Sequence, residues 1–287
     1  MLILERTKSH KLLMLESIVR RLPKSSSNYP NFHDMYRKAK AGYAGELHVD
    51  WLWQEMHFPF PNFLFHNLEL VNEAGHSHQI DSLYLTPYFA CVLEIKNIAG
   101  RVSFNDTTRQ FIRVTPDGRV DGLLNPVDQV LRHERFIRKL FKQNNINLPI
   151  KSLVVISYPS TIISDTSSNC HIIHREGLPQ IIEQFLKQYQ EEVSPNHQLF
   201  ELAKTIQSLN RPKKWIPEIS IDSLKTGVLC PSCFFNERMF FLKGDWFCKV
   251  CGMCDNAAFS LALQDYRRLK NEFITNQILY RIWCTHS

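Results

Sequence analysis

Asp81, Glu94 and Lys96 are the residues of this chain whose types and spacing point most directly to chemistry. They fall within residues 78–97, His-Gln-Ile-Asp-Ser-Leu-Tyr-Leu-Thr-Pro-Tyr-Phe-Ala-Cys-Val-Leu-Glu-Ile-Lys-Asn, where charge interrupts two apolar, strand-like runs. A charged side chain inside such a run calls for a partner or a metal, because burying it alone is costly. Alternate side chains of an extended strand share a face, so Glu94 and Lys96 project together. A strand pairing through the Thr86-Pro87 turn would bring Asp81 beside them. Two carboxylates and an ammonium at one point suit a divalent cation and a phosphodiester. Oxygen ligands from Asp81, Glu94 and the Ile95 carbonyl favour Mg2+ or Mn2+ over softer metals. A buried Glu94–Lys96 ion pair with no catalytic role is the competing account of the same pattern.

The elements that must position these residues lie on either side. Upstream, a helix is expected over about residues 34–56, and it contains Ala41-Gly42-Tyr43-Ala44-Gly45-Glu46. Two glycines in one turn weaken a helix unless something approaches its backbone closely. Glu46 follows directly, either as a third carboxylate for the site or as an exposed glutamate on a kinked helix. Downstream, Asn125-Pro126 opens a helix with asparagine as N-cap and proline at the first helical position. Its core stripe is Val127, Val130, Leu131, Ile137, Leu140 and Phe141, with Gln129 and His133 one turn apart on a neighbouring face. Strands are expected at 63–71, within 78–97, at 151–157 and at 170–174, with a small hairpin over 101–104 and 109–114. Helices at 179–189 and 197–209 close the series, which gives an α/β fold with a mixed sheet covered on both faces.

The order of four motifs resembles the NERD (nuclease-related domain) family of the PD-(D/E)xK nuclease superfamily. The motifs are Ala-Gly-Tyr-Ala-Gly-Glu at 41–46, Gln-Ile-Asp at 79–81, Glu-Ile-Lys-Asn at 94–97 with Gly100, and Asn-Pro-Val-Asp-Gln at 125–129. The resemblance covers roughly residues 35–160 and implies a restriction-endonuclease-like mixed sheet flanked by helices. It implies Asp81 and Glu94 as metal-binding acids, Lys96 as the catalytic lysine, Glu46 as the helix carboxylate and Gln129 as a polar residue from the following helix. Ile80 stands where the superfamily often has proline, a departure that NERD proteins share. The implied activity is Mg2+- or Mn2+-dependent hydrolysis of phosphodiester bonds in nucleic acid, DNA rather than RNA. A nucleic-acid-binding protein that keeps the fold without turnover is the alternative.

The C-terminal region carries a second signal. Cys230-Pro-Ser-Cys233 and Cys248-Lys-Val-Cys251-Gly252 are two CxxC knuckles separated by 14 residues. That spacing suits one Zn2+ held by four thiolates, with Phe240, Phe241, Trp246 and Phe247 supplying the strands of a ribbon. Four thiolates leave no open coordination position, so the ribbon is expected to be structural or to hold nucleic acid. Cys254 lies close enough to compete as a ligand, while Cys91, Cys170 and Cys284 are expected to be single buried thiols. Five of the eight cysteines fall within 25 residues, which is not a disulfide framework spread along the chain.

Beyond the ribbon, residues 259–283 are expected to form a helix. Its apolar side is Leu261, Leu263, Tyr266, Leu269 and Phe273, while Arg267, Arg268 and Lys270 either reach phosphates or are simply solvated, the second being the preferred reading. Near the start, residues 9–22 form a helix expected to pack on the main domain, with Arg20, Arg21 and Lys24 at its cation-favouring end.

The net charge is +6 over 287 residues. Residues 1–36 carry 6 basic and 3 acidic side chains, residues 37–210 carry 17 and 18, and residues 211–287 carry 11 and 7. Basic flanks around a near-neutral core suit a polyanionic partner. No apolar run reaches the roughly 18 residues of a membrane span, and no secretory leader is evident, so a cytoplasmic protein is expected. The expected divisions are an N-terminal helix and linker (1–36), the nuclease-like domain (37–210), and the ribbon with its helix (211–287).

Overall fold

The computed structural model describes residues 1–270. In chain order the elements are β1 (Leu2–Leu4), α1 (His10–Arg21), α2 (Tyr29–Glu55), β2 (Phe63–Val71), β3 (Ser77–Leu85), β4 (Ala90–Lys96), β5 (Arg101–Asn105), β6 (Gln110–Val114), β7 (Val120–Leu123) and α3 (Pro126–Gln143). They continue with β8 (Ile150–Ile156), β9 (Ile162–Ile163), β10 (His171–His174), α4 (Leu178–Gln188), α5 (Asn196–Leu209), β11 (Met239–Leu242), β12 (Asp245–Cys248) and α6 (Ala257–Leu269). The end of the helix expected to reach residue 283, with Phe273 and Cys284, lies outside the described residues.

The chain divides into two compact units. One is Met1–Thr7 with Ala41–Lys213, and the other is Lys8–Lys40 with the chain from Lys214 onward. This differs from the expected boundaries at 36 and 210, and the first seven residues are the largest difference. Leu2–Leu4 forms a strand parallel to β2, with Leu2 opposite Leu64 and Leu4 opposite Phe65. Three residues are too few to show a period in the sequence. Helix α2 also starts earlier than expected, at Tyr29, because Pro30 fits a first helical turn whose N–H groups need no partner in the helix.

The first unit is a mixed α/β fold. Its main sheet has the order β1-β2-β3-β4-β8-β10, with β2, β3 and β4 antiparallel in turn and β4, β8 and β10 parallel. One face packs Phe65, Leu83, Val92 and Val154 against Val127, Val130 and Ile137 of α3 and Leu199 and Leu202 of α5. The other packs Tyr84, Leu93 and Val155 against Val49 and Trp53 of α2 and Ile181 and Phe185 of α4. Each such large side chain contributes about 1.5–3 kcal/mol on burial. The expected small hairpin is part of a second sheet, ordered β7-β6-β5-β9.

The second unit contains α1, the first part of α2, the hairpin β11–β12 and α6. Helix α1, expected to pack on the main domain, instead shares a core with Phe32, Leu224 and Leu269 through Met14, Leu15 and Ile18. The buried face of α6 is Ala258, Ala262, Asp265 and Leu269, where Leu261, Leu263 and Tyr266 were expected. Asp265 explains the rotation, since it bonds Arg20 NH2 at 2.5 Å and Arg21 Nε at 2.9 Å. Arg267 and Lys270 are exposed and Arg268 is half-buried.

Candidate active site

Three side chains of the candidate site are set by a fork between β3 and β4. The ladder between these strands pairs Leu85 with Ala90 and ends at Ser82 opposite Leu93. Just past that point the Asp81 carboxylate takes the place of a backbone acceptor, its Oδ2 receiving the Ile95 N–H at 2.7 Å. The splay coincides with a break in alternation. Phe63 and Phe65 face the same core as Leu68 and Leu70, so β2 skips one side chain between them, at Asn67 with φ 50°. Asparagine tolerates that left-handed conformation better than most residues. Strand β3 skips at the same level, with Leu83 and Ile80 in one core, and this level holds Asp81.

Glu94 is buried and bonds the Lys96 ammonium, Nζ to Oε1 at 2.7 Å. They lie two residues apart on β4, so the strand period places them together. Their strand is parallel to β8, and α3 forms the crossover, which returns antiparallel to β4 and packs on it. His133 of α3 lies with Nε2 3.9 Å from Glu94 Oε2 and Nδ1 3.3 Å from His78 Nδ1. Gln129 is one turn earlier on the same helix, and its Oε1 is buried with no hydrogen-bond partner. The N-terminus of α3 is fixed by Asn125, whose Oδ1 accepts the Val127 N–H at 3.0 Å.

Glu46 arrives from α2, and Gly45 before it explains how close that helix can come. A β-carbon at position 45 would collide with the side chains of Asn97 and Ser157, whereas one at Gly42 would meet nothing. Asn97 adds a bond from Nδ2 to the Ala41 carbonyl at 2.6 Å. Glu46 Oε2 accepts from Arg6 NH1 at 2.7 Å. Arg6 is held in turn by Asp50, Nε to Oδ2 at 2.6 Å and NH2 to Oδ1 at 3.1 Å. His66 Nδ1 lies 2.9 Å from Ser82 Oγ and 3.2 Å from Asp50 Oδ1.

The electrostatics follow from burial and from a charge deficit. Burial, then the charge of Asp81, pushes Glu46 up to about 7 and Glu94 up to about 8. Burial also raises Asp81, against the Ile95 N–H, and raises Asp50, against its bond to Arg6. Arg6 is raised as well, for a different reason: burial opposes its charge, but the bond to Asp50 and the charges of Glu46, Asp50 and Asp81 outweigh burial. Burial lowers His66 and His133 to about 3, so both are neutral. Four carboxylates thus share two cationic side chains, Arg6 and Lys96, and full ionisation leaves two negative charges uncompensated. A divalent cation fits that deficit, and the donors are the hard oxygens Mg2+ and Mn2+ prefer.

In the second unit the four cysteines of the two knuckles stand within 4.8 Å of one another. Cys230 Sγ is 3.6 Å from Cys251 Sγ, and Cys233 Sγ is 3.8 Å from Cys248 Sγ. Four thiolates placed tetrahedrally at the usual Zn–S length of about 2.3 Å would be about 3.8 Å apart. Backbone N–H groups of Cys251 and Val250 hold Cys248 down to about 7, which favours the thiolate a metal needs. Cys254 is exposed and outside the group. Among the described residues no set of three or more carboxylates or histidines is gathered that tightly. Cys91 is buried and Cys170 half-buried, while Cys284 lies outside the described residues.

Asp81, Glu94 and Lys96 therefore meet at the fork, Glu46 approaches them through Arg6, and Gln129 sits one turn from His133. Arg6, Asp50, His66 and Ser82 join the site only through tertiary contacts. Two signals were available: Arg6 lies just past the apolar run Met1–Leu4, after Glu5, and Asp50 is one turn beyond Glu46 on the same helix.

The small subunit of the heterodimeric restriction endonuclease R.BspD6I aligns over 69% of this chain and 88% of that one, at 16% identity and a TM-score of 0.24. No curated protein matches. No helix among the described residues is long and apolar enough to cross a membrane. Residues 41–157 match the family model of the nuclease-related domain, and they contain Glu46, Asp81, Glu94, Lys96 and Gln129. This chain carries a nuclease-related (NERD) domain.

Proposed function

We propose that the protein is a metal-dependent nuclease that hydrolyses phosphodiester bonds of DNA, with Asp81 and Glu94 as ligands for Mg2+ or Mn2+. The observation that carries this reading is the fork itself, a buried set of acids two positive charges short of neutrality beside a lysine. When bound, the cation supplies positive charge at a phosphate oxygen and makes a nearby water more acidic. Asp81 keeps Oδ1 free for it while Oδ2 is tied to the Ile95 N–H, so one bond fixes the orientation of the other oxygen. Lys96, about a quarter exposed, donates to a non-bridging phosphate oxygen and offsets charge as the phosphorus centre crowds. Glu46, poised near 7, accepts the proton of the attacking water at Oε1, since Oε2 is occupied by Arg6. Gln129, through its unsatisfied Oε1, orients that water or the Lys96 ammonium. In the second unit, Zn2+ on Cys230, Cys233, Cys248 and Cys251 fixes the ribbon, which helps hold the substrate. The thiols call for a reducing compartment, in keeping with the cytoplasm.

The test is cleavage of linear, circular and single-stranded DNA and of RNA, with Mg2+, Mn2+ or chelator. DNA should be cut only with the cation, and Glu94→Ala or Lys96→Ala should reduce cutting at least about a thousandfold while circular dichroism stays unchanged. Wild-type rates in both variants would overturn the assignment. Salt-sensitive binding with no cutting would leave a nucleic-acid-binding protein in its place.

A further inference from the structure

We propose that Arg6 is a positioning residue of the candidate site, carrying the fixed geometry of Asp50 to Glu46 and so making the segment just after β1 part of the site. The catalytic consequence rests on the nuclease reading, whereas the contact does not. Arg6 lies outside the residues matched to the nuclease-related domain, and its side chain is 1% exposed.

A guanidinium has five N–H groups in one plane. In Arg6, Nε–H goes to Asp50 Oδ2 at 2.6 Å, and NH1 serves Glu46 Oε2 at 2.7 Å and Asn67 Oδ1 at 3.0 Å. NH2 serves Asp50 Oδ1 at 3.1 Å and the Asp81 carbonyl at 2.8 Å, with Ser82 Oγ at 3.2 Å. Every donor is occupied, so the plane has one orientation and Glu46 Oε2 has one place. The same plane is bonded to the main chain of Asp81, whose side chain caps Ile95 at the fork. Arg6 therefore fixes the distance between the helix carboxylate and the strand acid, which α2 alone cannot do because glutamate has three rotatable bonds. Lysine could reach only part of this set, since its donors do not lie in a plane. Lys96 is already engaged by Glu94.

Two readouts test this. The first needs no activity: urea unfolding of wild type, Arg6→Lys, Glu46→Gln and the double variant. The two substitutions should be coupled by at least about fivefold in the unfolding equilibrium constant, and additive effects would overturn the contact. The second is turnover of DNA. Arg6→Lys should lower kcat about tenfold or more with KM within about twofold, and the Arg6→Lys/Glu46→Gln double variant should be no slower than Glu46→Gln alone. A double variant slower by the product of the two single effects would show that Arg6 acts elsewhere, as a structural anchor only. If Arg6 variants fail to fold, Asp50→Asn keeps the arginine and loosens its clamp. It should show the same fall in kcat and the same non-additivity with Glu46→Gln, and additivity there would sink the proposal. If wild type cuts nothing, the nuclease reading fails and the unfolding cycle still decides whether Arg6 holds Glu46.

Discussion

Glu94 shows what a buried acid costs and what it is available for. In the folded protein it and Glu46 keep a proton up to about 8 and about 7, while the unfolded chain releases it near the ordinary value of 4.5. Raising the pH between those values therefore removes stability, because the folded state binds more protons than the unfolded one. The buried histidines act in the opposite sense. His66 and His133, lowered to about 3 from 6.5, cost stability as the pH falls below 6.5 and are silent above it. Between 6.5 and 8 the histidines are silent, and the groups that titrate in the opposite sense to the carboxylates are Cys248, lowered to about 7, and the Met1 amine, lowered from 8.0, so the comparison with Glu94→Gln isolates the carboxylate. In chelator, the melting temperature should drop across that window, the drop should be much reduced in Glu94→Gln, and added Mg2+ should raise the melting temperature more at pH 8 than at pH 6.5. A flat wild-type profile in chelator would contradict the charge deficit.

Helix α2 is the element on which the site turns. Its two glycines look equivalent in sequence, three residues apart, yet only position 45 is crowded by Asn97 and Ser157. Gly45→Ala should destabilise by about 1–3 kcal/mol, because the helix must move off the sheet to admit a methyl group, and activity should fall with it. Gly42→Ala should be neutral or stabilise by about 0.5–1 kcal/mol, the ordinary helical gain over glycine. Urea unfolding of the two variants side by side measures the contrast, and equal effects would remove the close-approach argument. Helix α3 shows the simpler case: the Asn125-Pro126 start is local chemistry and is formed as expected.

At the scale of the whole molecule, charge is unequal between the units. Met1–Thr7 with Ala41–Lys213 carries 17 basic and 19 acidic residues, while Lys8–Lys40 with the chain from Lys214 carries 17 and 9. The acids of the candidate site and the basic excess thus belong to different units, a sharper contrast than the split by sequence segment. Raising salt from about 50 to 200 mM should therefore raise KM for DNA steeply and leave kcat nearly unchanged, and an equal loss in kcat would count against separate holding and cutting. The ribbon should hold one zinc per chain, and Cys248→Ser should lose it together with the lowest-temperature unfolding transition, measured by metal analysis and calorimetry.

Features whose cause is local are legible in the order of residues. Strand alternation put Glu94 and Lys96 on one face, an Asn-Pro pair started α3, and two CxxC knuckles named the four thiols that meet. The mixed α/β order was likewise legible from runs of five or more residues. The rest comes from contacts between residues far apart in the chain. A three-residue strand pairs with β2 at position 64, and Arg6 meets Glu46, Asp50 and Asp81 across 40, 44 and 75 positions. Asp265 of α6 turns inward to reach Arg20 and Arg21 some 245 residues earlier. No period or spacing encodes such a meeting. It depends on which buried charges find each other once burial has made leaving them unpaired too costly.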